Sequence, residues 1–173
     1  MKFNKKYGIL FWITGLSGSG KTTIAKKIEK KITKLFGPTI LISGDNIRKI
    51  MDLNEFTKTK RLDYGKKFSK LSKLITNQKI NVIFATVSML HKVRFLNKKN
   101  IRNYVEIYIK TDVQKIIKRG KKRIYFKRRK NIVGLDIKPE FPKKPDIVIN
   151  NNFNKDVDTL SNELVKKIKR LLT

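Results

Sequence analysis

The chain has 173 residues, enough for one domain with a real hydrophobic core, and no cysteine, which excludes disulfides and thiolate-held zinc or iron–sulfur sites. Hydrophobic residues make up 39% of it, so it is not a disordered chain despite a formal net charge of +30. That charge admits three readings: nucleic-acid binding, a small polyanionic substrate such as a nucleotide, or a lysine-rich composition with no function of its own.

Taken in order, the segment Met1–Tyr7 is basic and the apolar run Ile9–Ile13 follows. The run is too short for the core of a signal peptide, and no stretch nears the roughly 20 apolar residues of a membrane helix, so a cytoplasmic protein is expected. Ile9–Thr14 reads as a buried strand. Thr22–Phe36 reads as a helix with Ile24, Ala25, Ile28, Ile32 and Leu35 on one face, stopped by Gly37-Pro38. Thr39–Ser43 is a second strand. Lys58–Asn77 reads as a helix with Leu62, Phe68, Leu71, Leu74 and Ile75 as its apolar set. Asn81–Thr86 and Tyr104–Ile109 are strands three and four. Thr111–Lys118 is a short helix that Thr111 or Asp112 could cap. Gly120–Asp136 is strongly basic and weakly periodic, like a lid. Asp146–Ile149 is a fifth strand, and Lys155–Leu172 a closing amphipathic helix. Trp12 falls in the first strand, most simply as core. His91 is the only histidine, with no partner pattern for zinc, so a surface or helix-capping place is expected.

Strands alternating with helices predict an α/β fold: one three-layer domain over 1–173 with a parallel, five-stranded sheet and a basic lid near 120–137. Ligands in such sheets gather at the carboxyl ends of the strands. The segment Gly15-Leu16-Ser17-Gly18-Ser19-Gly20-Lys21-Thr22 sits at such an end, between a strand and a helix, and fits the phosphate-binding pattern G-x-x-x-x-G-K-[ST]. Glycines bring backbone N–H groups against phosphate oxygens, and the helix N-terminus adds its positive end. Lys21 would bridge the outer phosphates of ATP, and the Thr22 hydroxyl would bind Mg2+. The small size favours a small-molecule kinase over a motor, and no Asn-Lys-x-Asp motif marks a GTPase.

After the second strand comes Ser43-Gly44-Asp45-Asn46-Ile47-Arg48. Asp45 could take the proton of an acceptor hydroxyl or hold Mg2+, and Arg48, on the same face if this stretch is helical, could clamp a phosphate. An N-cap Asp beside a solvated Arg explains the same pair equally well.

Several segments, in order, resemble the adenylylsulfate kinase family, P-loop kinases that phosphorylate the ribose 3′-hydroxyl of an adenosine nucleotide. They are Gly15–Thr23; Gly44–Arg48 against D-G-D-N-x-R; Phe56 and Arg61 against F-x-x-x-x-R; Val87-Ser88 against I-S-P; Ile124–Lys127; Asn131–Asp136 against N-F-T-G-I-D; and Pro142–Val148. The resemblance implies that Asp45 is the catalytic carboxylate near the acceptor hydroxyl and Mg2+. It implies that Gly15, Ser17, Gly18, Ser19, Gly20, Lys21, Thr22 and Thr23 hold ATP, and that Arg119 meets its adenine. Arg48, Arg61 and Lys127 would bind acceptor phosphates or the transferring group, with Phe56 and Ser88 beside the acceptor. A homodimer is compatible with the family; nucleic acid and membrane are not expected partners.

Four departures from the family stand out. Ser43 replaces the first Asp of D-G-D-N, Tyr64-Gly65 replaces Asn-Ile, Met89 replaces the Pro after I-S, and Ile132 replaces the Phe that stacks on the acceptor adenine. Tyr64 and Ile132 both shape the acceptor's base pocket, while the donor side is intact. Losing a stacked ring removes about 1–3 kcal/mol of contact with the base. The pattern implies an unchanged reaction on a changed nucleotide acceptor, a pyrimidine among the candidates, with adenylylsulfate itself as the alternative. The basic run Lys121–Lys130, with Tyr125 and Phe126 inside it, reads as a lid over polyanionic ligands; a nucleic-acid-binding ATPase is the competing reading.

Overall fold

The computed structural model describes residues 3–120 and 130–172. Five parallel strands form one sheet: β1 Leu10–Thr14, β2 Thr39–Ser43, β3 Asn81–Thr86, β4 Tyr104–Lys110 and β5 Ile147–Asn150, in the spatial order β2-β3-β1-β4-β5. Among the described residues the helices are α1 Lys21–Phe36, α2 Gly44–Ile50, α3 Lys58–Thr76, α4 His91–Asn100, α5 Val113–Lys118 and α6 Val157–Leu172. The predicted three-layer α/β fold and its five-stranded sheet are present.

Alternation along the strands sorts the core into two layers. Phe11 and Ile13 point to one face, with Ile24, Ile28 and Ile32 of α1 and Leu160, Leu164 and Ile168 of α6. Leu10 and Trp12 point to the other, with Phe68 of α3 and Val93 of α4. There Phe84 packs between Trp12, at 4.9 Å between ring centroids, and Phe68, at 5.2 Å. A third cluster, Leu16, Met89, Tyr108, Ile116 and Val133, lies among the loops at the carboxyl edge and braces the site described below.

Two points of the expected fold need correction. Leu35 and Leu74 do not join the core: Leu35 is exposed in the last turn of α1, and Leu74 is 60% exposed. Helix α3 buries the stripe Tyr64, Phe68, Ser72 and Thr76 instead, with Gly65 and Ser69 beside it. That stripe reads as half polar because its hydroxyls bond their own helix: Ser72 Oγ donates to Phe68 O at 2.8 Å and Thr76 Oγ1 to Ser72 O at 2.9 Å. Helix α4 was not expected at all, for its inward face is Val93, Arg94 and Asn97, one apolar residue and two polar ones. Of the two caps expected for the 111–118 segment, Asp112 is the one used: its Oδ1 accepts from Gln114 N at 2.6 Å.

Candidate active site

The register aligns the carboxyl ends of the strands: Thr14 pairs with Thr86 on one side and Tyr108 on the other, and Ser43 with Ala85. The chain leaves β1 directly into the glycine loop. Gly20 is the N-cap of α1 at φ 90°, a conformation few side chains tolerate, and a Cβ there would lie 2.8 Å from Asn151 Nδ2. Asn151, buried just past β5, donates to Ser19 O at 3.0 Å and so ties the loop to the far side of the sheet. No side chain caps α1, which leaves its first N–H groups turned toward the cleft for an anion. Lys21 is buried and folds back across the loop, its Nζ donating to Leu16 O at 2.6 Å.

The cleft over this loop measures about 520 Å3. Ser17, Gly18, Gly20, Lys21, Thr22, Thr23, Asp45 and Arg119 all line it, so the structure brings most of the expected donor-side residues together. Gly15 and Ser19 do not line it. Ser19 is fully buried, and a Cβ at Gly15 would lie 2.8 Å from Ser19 Oγ, so both act through the shape of the loop. Arg119 ends α5 with its guanidinium 4.4 Å from the ring centroid of Phe153. Phe153 was not singled out from sequence; it sits in a loop after β5 with no motif around it, and only its spatial place beside Arg119 marks it.

A second, narrower cavity lies on the other side of Thr86 and Val87, which line both. Arg48, Phe56, Arg61, Tyr64 and Ser88 line it, with Met89, Val133 and Ile137 closing the wall. Phe56 lies between two guanidinium groups, that of Arg48 at 5.6 Å and that of Arg61 at 5.3 Å from its ring centroid. Arg61 also donates from Nε to Phe56 O at 2.8 Å and from Nη2 to Asn131 O at 2.9 Å. Burial, then the charge of Arg48, pushes the Arg61 pKa down to about 10. It stays protonated at neutral pH, and two guanidinium groups therefore bring positive charge to one small cavity. The cavity itself measures about 30 Å3, far below the roughly 300 Å3 of an ordinary ligand pocket, so an acceptor must displace part of this stack to enter.

Helix α2 partitions the two spaces. It turns Asp45 to the donor cleft and Arg48 to the narrow cavity, and the two side chains form an ion pair across the helix's first turn. Asp45 does not act as the N-cap; that place belongs to Ser43, which makes no side-chain capping bond. Ile132 is buried but does not line the cavity; its neighbours Val133 and Ile137 do. Lys127 and the rest of the 121–129 run lie outside the described residues.

As a chemical device, this is a phosphate cradle and a cationic pocket that meet at one carboxylate. Hard oxygen donors, the Thr22 hydroxyl and the Asp45 carboxylate, share the cleft, and among the described residues no cluster of three or more His, Cys, Asp or Glu could hold a metal alone. That donor set fits Mg2+ bound largely through substrate phosphates and water.

Comparison with known proteins gives the family and the fold. The family description Adenylylsulphate kinase matches residues 7–150. A cytidine diphosphoramidate kinase of Campylobacter jejuni subsp. jejuni serotype O:2 is 34% identical over 163 residues, covering 92% of this chain and 95% of the relative. An adenylyl-sulfate kinase of Clostridium kluyveri is also 34% identical, over 89% of this chain and 84% of its own length. Among solved structures, the Mycobacterium tuberculosis APS kinase CysC in complex with AMPPNP and APS superposes with a TM-score of 0.85 at 25% identity, covering 94% of this chain and 98% of that one. Among the described residues no helix is long and apolar enough to cross a membrane.

Proposed function

The chain belongs to the adenylylsulphate kinase family and is an ATP-using kinase that phosphorylates a hydroxyl group, and we propose that its acceptor is the ribose 3′-hydroxyl of cytidine diphosphoramidate, a step of capsule phosphoramidate synthesis. The observation that carries this choice is Tyr64. Its side chain, only 8% exposed, stands in the wall of the cavity that Arg48, Phe56 and Arg61 surround. The phenol fills part of this cavity's wall, the aliphatic Val133 and Ile137 line it too, and Ile132, standing where the family has its stacking ring, is buried outside the lining. A smaller base fits that exchange.

The residues divide the work as follows. The free N–H groups of α1 and the Lys21 ammonium hold the donor's outer phosphates, Lys21 leaving the Leu16 carbonyl for them. Thr22 and Asp45 are the residues that would hold Mg2+, which supplies charge neutralisation on the transferring group when bound. Arg119, with Phe153 beside it, takes the donor base. Arg48 and Arg61 grip the acceptor's phosphate groups. Once Arg48 turns to them, Asp45 is free to orient the 3′-hydroxyl and accept its proton. Positioning and charge stabilisation carry most of phosphoryl transfer, and both are built into this geometry.

The second reading is adenylylsulfate as acceptor, favoured by the match of the adenylyl-sulfate kinase at equal identity. One experiment separates the two: ADP release measured with each acceptor in turn. Cytidine diphosphoramidate is expected to give the higher kcat/KM. A clear preference for adenylylsulfate sinks the argument from Tyr64.

A further inference from the structure

Behind the narrow cavity lies a polar junction that none of the roles above uses. Arg94 of α4 is only 4% exposed, yet every nitrogen of its guanidinium is engaged. Nε pairs with Glu106 Oε1 at 3.2 Å, Nη1 donates to Ser88 O at 3.2 Å, and Nη2 donates to Glu140 O at 2.6 Å and to His91 Nδ1 at 2.7 Å. Glu140 answers with all of its own groups. Its N–H donates to Met89 O at 3.0 Å, and its carboxylate accepts from His91 N at 2.6 Å and pairs with Lys58 Nζ of α3 at 3.0 Å.

A buried charge is expensive, and an isolated ion pair rarely repays the cost of removing it from water. Burial indeed pulls the Arg94 pKa down and pushes the Glu106 carboxyl up. Apolar residues could fill the same space. What they could not do is hold two backbone carbonyls from segments distant in sequence at one fixed separation. Those segments are the two walls of the cavity: Ser88 and Met89 follow β3, and Glu140 follows the stretch that carries Val133 and Ile137.

We propose that Arg94 and Glu140 are positioning residues for acceptor binding, a staple that sets the distance between the Ser88–Met89 wall and the Val133–Ile137 wall. The proposal rests on the reading of this cavity as the acceptor site. Arg94 touches no substrate and acts through the two carbonyls it holds. The donor cleft lies across Thr86 and Val87, so ATP binding is independent of the staple.

Steady-state kinetics test this, using whichever of cytidine diphosphoramidate and adenylylsulfate the wild type phosphorylates. Arg94→Lys keeps a charge beside Glu106 but lacks the fork that reaches both carbonyls. Glu140→Ala keeps the backbone bonds and removes the anchors to α3 and α4; it lies nearer the surface and tests the proposal should Arg94→Lys fold poorly. In both, the acceptor KM is expected to rise roughly tenfold while the ATP KM stays unchanged. A fall in thermal stability with both KM values unchanged overturns the proposal, because a merely structural bond does that. Arg61→Ala serves as the reference. If it raises acceptor KM while the Arg94 and Glu140 variants do not, the cavity stands and the staple falls. If Arg61→Ala leaves acceptor KM unchanged, the reading of the cavity itself fails, and the staple with it.

Discussion

Asp45 and Arg48 hold each other in the first turn of α2, and the value of that pair decides how the site can work. Asp45 is 60% exposed. Exposed ion pairs contribute about 0–1 kcal/mol, so an arriving phosphate can draw Arg48 away at little cost. Asp45→Asn is expected to lower turnover by about 10²- to 10⁴-fold, the usual worth of a positioned acid or base, with ADP affinity nearly unchanged. Near-normal turnover in equilibrium with normal ADP binding would remove Asp45 from the chemistry. The base pocket makes a second test at this scale. Tyr64→Asn together with Ile132→Phe restores the family's residues, and should shift the kcat/KM ratio toward adenylylsulfate by roughly 5- to 150-fold if a stacked ring is worth about 1–3 kcal/mol. An unchanged ratio would mean that other positions choose the base. The donor residues of the glycine loop were legible in the sequence because they are contiguous along the chain, Gly15–Thr23. Asn151, Phe153, Arg94 and Glu140 were not, because each acts on a partner far along the chain: Asn151 bonds Ser19 from 132 residues away, and Arg94 bonds Glu140 across 46.

Elements carry the geometry that single residues only use. Helix α2 is seven residues long and holds both Asp45 and Arg48, so its distance from β3 sets where the two clefts meet. Gly44 sets that distance. A Cβ there would lie 2.7 Å from Thr86 Oγ1 and 2.9 Å from Thr86 Cβ, both inside van der Waals contact. In Gly44→Ala the helix must retreat from the sheet and take Asp45 with it. Since misplacement of about 1 Å costs about 10²-fold in rate, kcat should fall by about tenfold or more, with a Tm change of only a few degrees. A lower Tm with full kcat in the folded enzyme would show that α2 tolerates the shift. The readable elements were those with an apolar run or period or a clear cap: the five strands, α1, α3, α5 and α6. Helix α4 escaped because it buries Arg94 and Asn97, and the face of α3 was misplaced because Ser72 and Thr76, not Leu74, turn inward. Ser72 and Thr76 are satisfied by their own helix and Arg94 by its junction, which hydrophobic pattern cannot reveal.

For the whole molecule the question is what a net charge of +30 does to a fold of this size. Between Asp63 and Glu106 the chain has no acidic residue, so the layer formed by α3 and α4 holds a single carboxylate of its own, Asp63 near the start of α3, which pairs with Lys66. Lys67, Lys70, Lys73, Lys98, Lys99 and Arg102 are all exposed there. Exposed ion pairs, such as Lys60 with Glu55 at the start of α3 and Lys27 with Asp158, are too weak to offset that repulsion. Self-repulsion of like charges destabilises the compact state. Raising the salt from about 0.01 M to about 0.1 M shortens the Debye length from about 30 Å to about 10 Å, which screens repulsion across the face while leaving the buried Arg94–Glu106 pair largely untouched. Sodium chloride is therefore expected to raise Tm by several degrees over this range, about 2–4 °C for each kcal/mol relieved. The salt must be a chloride, because sulfate or phosphate would also bind the glycine loop and raise Tm by occupying it. A Tm that falls with added chloride would mean that attractive surface pairs outweigh the repulsion, and that the basic face is better neutralised in the folded protein than its sequence suggests.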